Sequence, residues 1–246
     1  MNEHVTANSS SSSQNLDAQV KSHSIQRPGH LILLRHGQTM WSETGQYTGR
    51  TNIPLTHEGE NQARLAGERL ASSGLAIENE NVFVSPLMRA QKTAQLAGFE
   101  GYNTEFNLSE FDYGPAEGRT RFEVAEALGI DAWNIWDIGP LQLPSSLQGK
   151  RSEHIDDFGD VEINSGVGES SEQAAQRVRS VIEDVLPRLE SGKNVLCVAH
   201  AHILRILTTQ WLGLEPNQAR CFQLDTAKFC VLGWHHSDHV IENWNM

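Results

Sequence analysis

Arg35 and His36 are neighbours, a second histidine stands at His200, and both histidines close an apolar run of strand length. The first run reads His30-Leu-Ile-Leu-Leu-Arg35-His36-Gly37 and the second Asn194-Val-Leu-Cys-Val-Ala-His200-Ala201-His202. Such runs, bounded by turn or helix signals, read as strands covered on both faces. In an open parallel sheet the groups just past the carboxyl ends of the strands share one crevice, where ligands bind. An arginine and two histidines converging there suit chemistry on a phosphate ester. A neutral imidazole with one nitrogen free can attack phosphorus. A planar guanidinium can meet the oxygens over which charge spreads in the transition state. Gly37 permits close backbone approach to a ligand beside His36.

The elements that must hold these groups alternate along the chain. Thr56 caps a helix with Ala63, Ala66 and Leu70 on its buried face, ending near Gly74. Val82-Phe-Val-Ser85 reads as a short strand, and Ser85-Pro86 as the start of a helix with proline at its first position and Arg89 in its first turn. Further helices are predicted from about Arg119 to Leu128, from Ser170 or Ser171 through Leu189, and from about Ile203 to Leu212. A last strand is expected over roughly Phe229 to Trp234. The alternation predicts an α/β three-layer sandwich: a mostly parallel central sheet with helices on both faces. Residues 29–246 are expected to form one domain. The polar stretch 139–168 is too long for an ordinary connection and reads as an insertion, a lid above the site.

The chain has 246 residues and a formal net charge of -12. That balance argues against a nucleic-acid binder or an electrostatically held membrane protein. Residues 1–28, with a serine run from Ser9 to Ser13 and no sustained apolar block, read as a disordered tail without a secretory signal. Cys197, Cys221 and Cys230 lack metal-ligand spacing, and Cys197 and Cys230 sit inside apolar runs. They point to a reducing, cytoplasmic setting.

Several further stretches carry a resemblance. Leu33-Leu34-Arg35-His36-Gly37-Gln38-Thr39 is followed by Gly45-Gln46-Tyr47-Thr48-Gly49 and Pro54-Leu55-Thr56-His57-Glu58-Gly59. Then come Ser85-Pro86-Leu87-Met88-Arg89-Ala90, Leu108-Ser109-Glu110-Phe111-Asp112-Tyr113-Gly114 with Glu117-Gly118, and Val198-Ala199-His200. In this order, over roughly residues 30 to 235, the chain resembles the histidine phosphatase superfamily, also called phosphoglycerate mutase-like. It looks closest to the branch with sedoheptulose-bisphosphatase-like and broad-specificity sugar phosphatases.

The resemblance implies that His36 becomes a phosphohistidine, with Arg35, Arg89 and a protonated His200 forming a positive cage around the phosphoryl group. It implies that Glu110 gives a proton to the leaving oxygen and then takes one from water. Gln38, Ser42, Thr48, Gly49, Tyr113, Ala201 and His202 become candidate substrate contacts. The implied substrate is a small phosphate ester, with neither cofactor nor metal. The adjacent arginine pair by which mutases hold a carboxylate is missing; Lys150-Arg151 is the nearest candidate and lies in the insertion. Ser42 stands where mutases usually carry asparagine, and Ala201 where a glycine commonly follows the second histidine. These departures favour a phosphatase over a mutase. A non-catalytic phosphate-binding module and a metallohydrolase using His200, His202 and the His235, His236, His239 group are the other readings.

Overall fold

The computed structural model describes Met1, residues 28–156 and residues 158–246. The expected tail lies, but for Met1 and Pro28, outside the described residues.

Strand β1 (Leu31–Arg35) is apolar at every position but its last, and the structure buries both of its faces. Side chains alternate across a strand. Leu31 and Leu33 accordingly enter one core, and Ile32 and Leu34 enter another on the opposite face. Strand β6 (Val195–Ala199) splits the same way, with Val195, Cys197 and Ala199 on the first face and Leu196 and Val198 on the second. The two strands lie side by side and parallel, Leu31 opposite Val195 and Arg35 opposite Ala199. Their carboxyl ends therefore finish level, and His36 and His200 leave the sheet together.

The six-stranded sheet is completed by β2 (Val82–Val84), β3 (Asn103–Thr104), β7 (Phe229–His235) and β8 (Asp238–Asn243), in the order β3-β2-β6-β1-β7-β8. The first four strands in that order are parallel; β7 pairs antiparallel with β1, and β8 antiparallel with β7. Strand β8 escaped the sequence reading because its residues, DHVIEN, are exposed or half-buried and show no apolar face. Cys197 and Cys230 are buried, Cys221 is exposed, and all three are free.

Helices α2 (His57–Ser72) and α3 (Met88–Leu96) cover the face of Ile32 and Leu34 through Ala66, Leu70, Ala90 and Ala94. Helices α4 (Arg121–Leu128), α5 (Ser171–Glu190) and α6 (Ala201–Trp211) cover the other face. Thr56 and Ser170 cap α2 and α5 as read, their hydroxyls accepting from the amides of Gly59 and Gln173. Helix α3 begins later than expected: its cap position is Leu87, so Pro86 lies outside it, and Arg89 still falls in the first turn. Helix α6 begins at Ala201 with His200 itself at the cap. A short helix α1 (Met40–Thr44) follows β1.

The 139–168 stretch, expected to be an insertion above the site, has regular structure of its own. After two short 3-10 turns it forms an antiparallel hairpin of β4 (Gly149–Ile155) and β5 (Gly159–Ser165). Ile155, Val161 and Ile163 pack with Trp41 and Ile53 in a separate small core. The hairpin is thus fixed beneath the 41–53 segment. Among the described residues no helix is long and apolar enough to cross a membrane.

Candidate active site

At the strand ends the two imidazoles face each other with ring centroids 5.1 Å apart. His36 is almost wholly buried, and its Nδ1 lies 2.7 Å from the carbonyl oxygen of Gly37. A carbonyl only accepts, so Nδ1 carries the proton and Nε2 keeps its lone pair. Burial, helped by Arg89 and Arg35, pushes the His36 pKa well below its usual value. The ring is therefore neutral near pH 7, as a nucleophile must be. Gly37 serves a different neighbour from the one expected. A Cβ there would stand 2.2 Å from the carbonyl oxygen of Gly59, so the glycine lets the β1 exit pack against the start of α2.

His200 departs from the sequence expectation. The Nε–H of Arg89 donates to its Nδ1 at 3.1 Å, which makes Nδ1 an acceptor and leaves the proton on Nε2. Nε2 in turn donates to the Ser85 hydroxyl at 2.7 Å. Both nitrogens are thus held by protein, and burial followed by the charge of Arg89 pushes the pKa well below the usual value. In this arrangement one nitrogen meets Arg89 and the other Ser85. The ring fixes Arg89.

Arg89 is fully buried and also faces inward. Its Nη1 donates to the carbonyl of Thr51 at 3.0 Å, and its Nη2 to those of Thr48 and Gly49 at 2.9 Å each. From the other side the carboxylate of Glu117 accepts from the amides of Gly49 (3.0 Å) and Thr51 (2.9 Å). The 48–51 loop is clamped by its carbonyls and by its amides at once. A Cβ at position 49 would meet Glu117 Oε2 at 2.4 Å, which leaves room only for glycine. Burial raises the Glu117 pKa and lowers that of Arg89 to about 10. Glu117 was quoted for the resemblance but given no role by the sequence. Nothing local in the sequence shows that it reaches back 68 residues to Gly49.

Glu110 is docked at the start of α6. Its Oε1 accepts from the amides of Phe111 (2.8 Å) and Ile203 (2.9 Å), and its Oε2 from that of His202 (3.1 Å). A carboxylate at a helix N-terminus meets unpaired amides and the positive end of the helix dipole. Arg177 on α5 grips the backbone around it, donating to the carbonyls of Asn107, Ser109 and Glu110.

Arg35, His36 and Glu110 line one cavity of about 490 Å3. Arg35 donates through Nη1 to the carbonyl of Leu224 at 2.7 Å, while its buried Nε–H has no partner among the described residues. An unmatched buried donor of this kind is one that a phosphoryl oxygen satisfies. Of the expected contacts, Ser42, Thr48, Tyr113, Ala201 and His202 line the cavity. Ser42 has its hydroxyl in the α1 capping box, donating to the Thr39 carbonyl at 2.9 Å. Gln38 does not line it, because its side chain accepts from Thr56 at 2.8 Å; Gly37 and Gly49 are likewise absent from the wall. No described residue of 139–168 lines the wall either, and Arg151 is spent on the Glu117 carbonyl and the Ser165 hydroxyl. Gln46, Arg205, Arg220, Gln223 and Asp225, which sequence reading did not pick as contacts, complete the wall instead. His235 and His236 sit in the β7–β8 turn region. No group of three His, Cys, Asp or Glu side chains among the described residues is placed to hold a metal ion.

A family profile described as histidine phosphatase superfamily (branch 1) matches residues 31–160 and 136–246, which together span the fold just described. The chain belongs to this superfamily. An acid phosphatase of Mycobacterium tuberculosis is 32% identical over 210 residues, covering 85% of this chain and 89% of that protein. A 2,3-bisphosphoglycerate-dependent phosphoglycerate mutase of Caulobacter vibrioides is 31% identical over 216 residues, covering 82% of this chain and 88% of the mutase. A solved structure of an open reading frame product from Mycobacterium tuberculosis superposes with a TM-score of 0.73 at 31% identity, covering 89% of this chain and 98% of that one. The fold is thus that of the histidine phosphatases.

Proposed function

We propose that the protein is a phosphomonoester hydrolase that acts on a small phosphorylated metabolite through a phosphohistidine at His36. The observation that carries this is the His36 ring itself: neutral, with Nδ1–H fixed on the Gly37 carbonyl and Nε2 left as an unprotonated lone pair. In the first half-reaction Nε2 attacks phosphorus, the N–P bond forms and the bond to the leaving oxygen breaks. Glu110 gives that oxygen a proton and is left as the carboxylate. In the second half the Glu110 carboxylate takes a proton from water, the resulting hydroxide attacks phosphorus, and the N–P bond breaks to release inorganic phosphate. Arg35 offers its unmatched Nε–H to the phosphoryl oxygens. Arg89 and His200 act from behind the reacting atoms by fixing the 48–51 loop. No metal or cofactor has a part in this scheme, and the three free cysteines support a reducing, cytoplasmic setting.

Phosphate transfer to a second substrate oxygen, as in a mutase, is the rival supported by the mutase relatives. Against it, the nearest adjacent basic pair, Lys150-Arg151, lies in the hairpin and away from the cavity. A screen of phosphate esters with wild type and His36→Ala tests the proposal. Wild type should release inorganic phosphate and be unaffected by EDTA. His36→Ala should fold yet lose about 10⁴-fold or more in turnover, the scale seen when a nucleophile is removed. An acid-labile phosphoryl label should appear on the wild type alone. Undiminished turnover by folded His36→Ala would sink the mechanism, and label ending on substrate instead of water would favour the mutase.

A further inference from the structure

Arg205 stands on α6 one turn beyond His202 and faces the same cavity as His36. Its Nε donates to the carbonyl of Ala219 at 2.9 Å, and its guanidinium lies 5.2 Å from the centre of the Trp136 ring. Trp136 is itself stacked on His202, with centroids 5.1 Å apart. Two contacts therefore fix the plane of the guanidinium before any ligand arrives.

Its two terminal nitrogens are unlike those of its neighbours. Arg220, also in the wall, spends both on the carboxylate of Asp137, at 2.6 and 3.1 Å. Arg35 has one on the Leu224 carbonyl. For Arg205 only the Nε bond is present, so Nη1 and Nη2 have no protein acceptor among the described residues. No carboxylate among them forms an ion pair with it, although Glu110 and the phenols of Tyr113 and Tyr47 are near enough to be felt. Burial disfavours its charge. A half-buried, oriented cation with its planar fork empty is arranged to meet an anion.

The scissile phosphate is already provided for by Arg35 and His36 at the strand ends. Arg205 lines the same cavity from α6, three residues after His202, and its charge is felt at Arg35. We propose that Arg205 binds a second anionic group of the substrate, a carboxylate or a second phosphate, carried a few bonds from the phosphate that is cleaved. This rests on the hydrolase reading above and names its substrate class: phosphorylated metabolites with two anionic ends. Tyr47, Tyr113 and His202 line the same cavity and are neutral.

Binding, measured without turnover, separates this inference from the hydrolase reading. In the His36→Ala protein, dissociation constants are compared for ethyl phosphate, phosphoglycolate and ethylene glycol bisphosphate by titration calorimetry. At least one of the two doubly anionic esters should bind about tenfold to a hundredfold tighter than ethyl phosphate, the worth of a hydrogen-bonded charge pair. Which of the two gains more tells carboxylate from phosphate. Adding Arg205→Gln should erase the gain, and Arg205→Lys, which keeps charge without the fork, should restore part of it. Equal affinity for all three esters in the parent overturns the inference, as does a preference that survives Arg205→Gln. Failure of wild type to release phosphate from any ester would strike the hydrolase reading while leaving the binding preference to be judged by itself.

Discussion

Behind His36 the polar groups close on one another. Ser85 holds His200, His200 holds Arg89, Arg89 and Glu117 hold the 48–51 loop, and all but the loop's outer residues are buried. Across the cavity, Arg205 keeps an empty fork and Arg220 is tied to an exposed carboxylate. The first wall has no freedom to adapt to a ligand, and its order is set by folding. The second presents the unspent terminal donors of Arg205 on α6. Chemistry and selectivity are therefore separable here: substitutions behind His36 should damage stability and every substrate together, while those on the Arg205 wall should discriminate among substrates.

Glu117→Ala attacks the closed wall at its most committed point. It strips the acceptor from the amides of Gly49 and Thr51 and removes the negative partner facing Arg89, all within a buried site. Unsatisfied buried amides cost about 1–3 kcal/mol each, so a loss of about 4 kcal/mol in unfolding free energy is expected. Urea denaturation measures it, and kcat/KM should drop by similar factors for all esters. Glu117→Gln, which keeps one acceptor, should recover part of both. A stable Glu117→Ala protein with altered preference among esters would erase the distinction between the walls.

How much of that wall a reader of the sequence can see depends on range. Arg35, His36 and His200 declare themselves because each ends an apolar strand within a few residues, and the parallel pairing of β1 and β6 then follows from fold class. Arg89 is visible through its motif, yet its inward-facing role is not, because the carbonyls it binds lie about forty positions away on a loop without periodicity. Glu110 looks like an ordinary loop acid until α6 offers it two amides, and only the resemblance singled it out. Arg205 carries no local signal at all. The 139–168 stretch is long, polar and rich in Gly and Pro, which hides its hairpin; the alternation of Val161, Ile163 and Ser165 in β5, buried on one face, is the signal available.

Acid should sharpen the comparison next. His36, His200 and His202 are each pushed well below 6.5, first by burial and then by arginines. In the unfolded chain they take up protons around that value, while in the fold they do not. Their contribution to stability is present above the unfolded value and is lost as pH falls below it toward the folded ones. For three such groups the loss between pH 7 and pH 6 is about 2 kcal/mol. Glu117 has the opposite sign: raised by burial, it stabilises fully below its unfolded value of 4.5, and that contribution disappears as pH rises through the folded one. Chemical denaturation at the two pH values measures the sum above the carboxylate range. Stability unchanged over that interval would mean that the imidazoles are not held neutral.

The smallest effect belongs to the hairpin, and it decides between strut and lid. Glu153 in β4 accepts from the indole of Trp41 at 2.9 Å and from the Gln46 amide at 3.1 and 3.2 Å. Gln46 lines the cavity, whereas Glu153 does not. As a strut, Glu153→Ala should cost about 1 kcal/mol in stability, the net worth of a hydrogen bond or two with a charged acceptor. It should loosen Gln46 enough to raise KM modestly for every ester, leaving kcat and the ranking of substrates as they are. A lid would behave otherwise, since closing over bound substrate adds contacts that differ between esters and couples to product release. A change in kcat, or a reordering of substrates with stability untouched, would therefore restore the lid and place part of the selectivity outside the Arg205 wall.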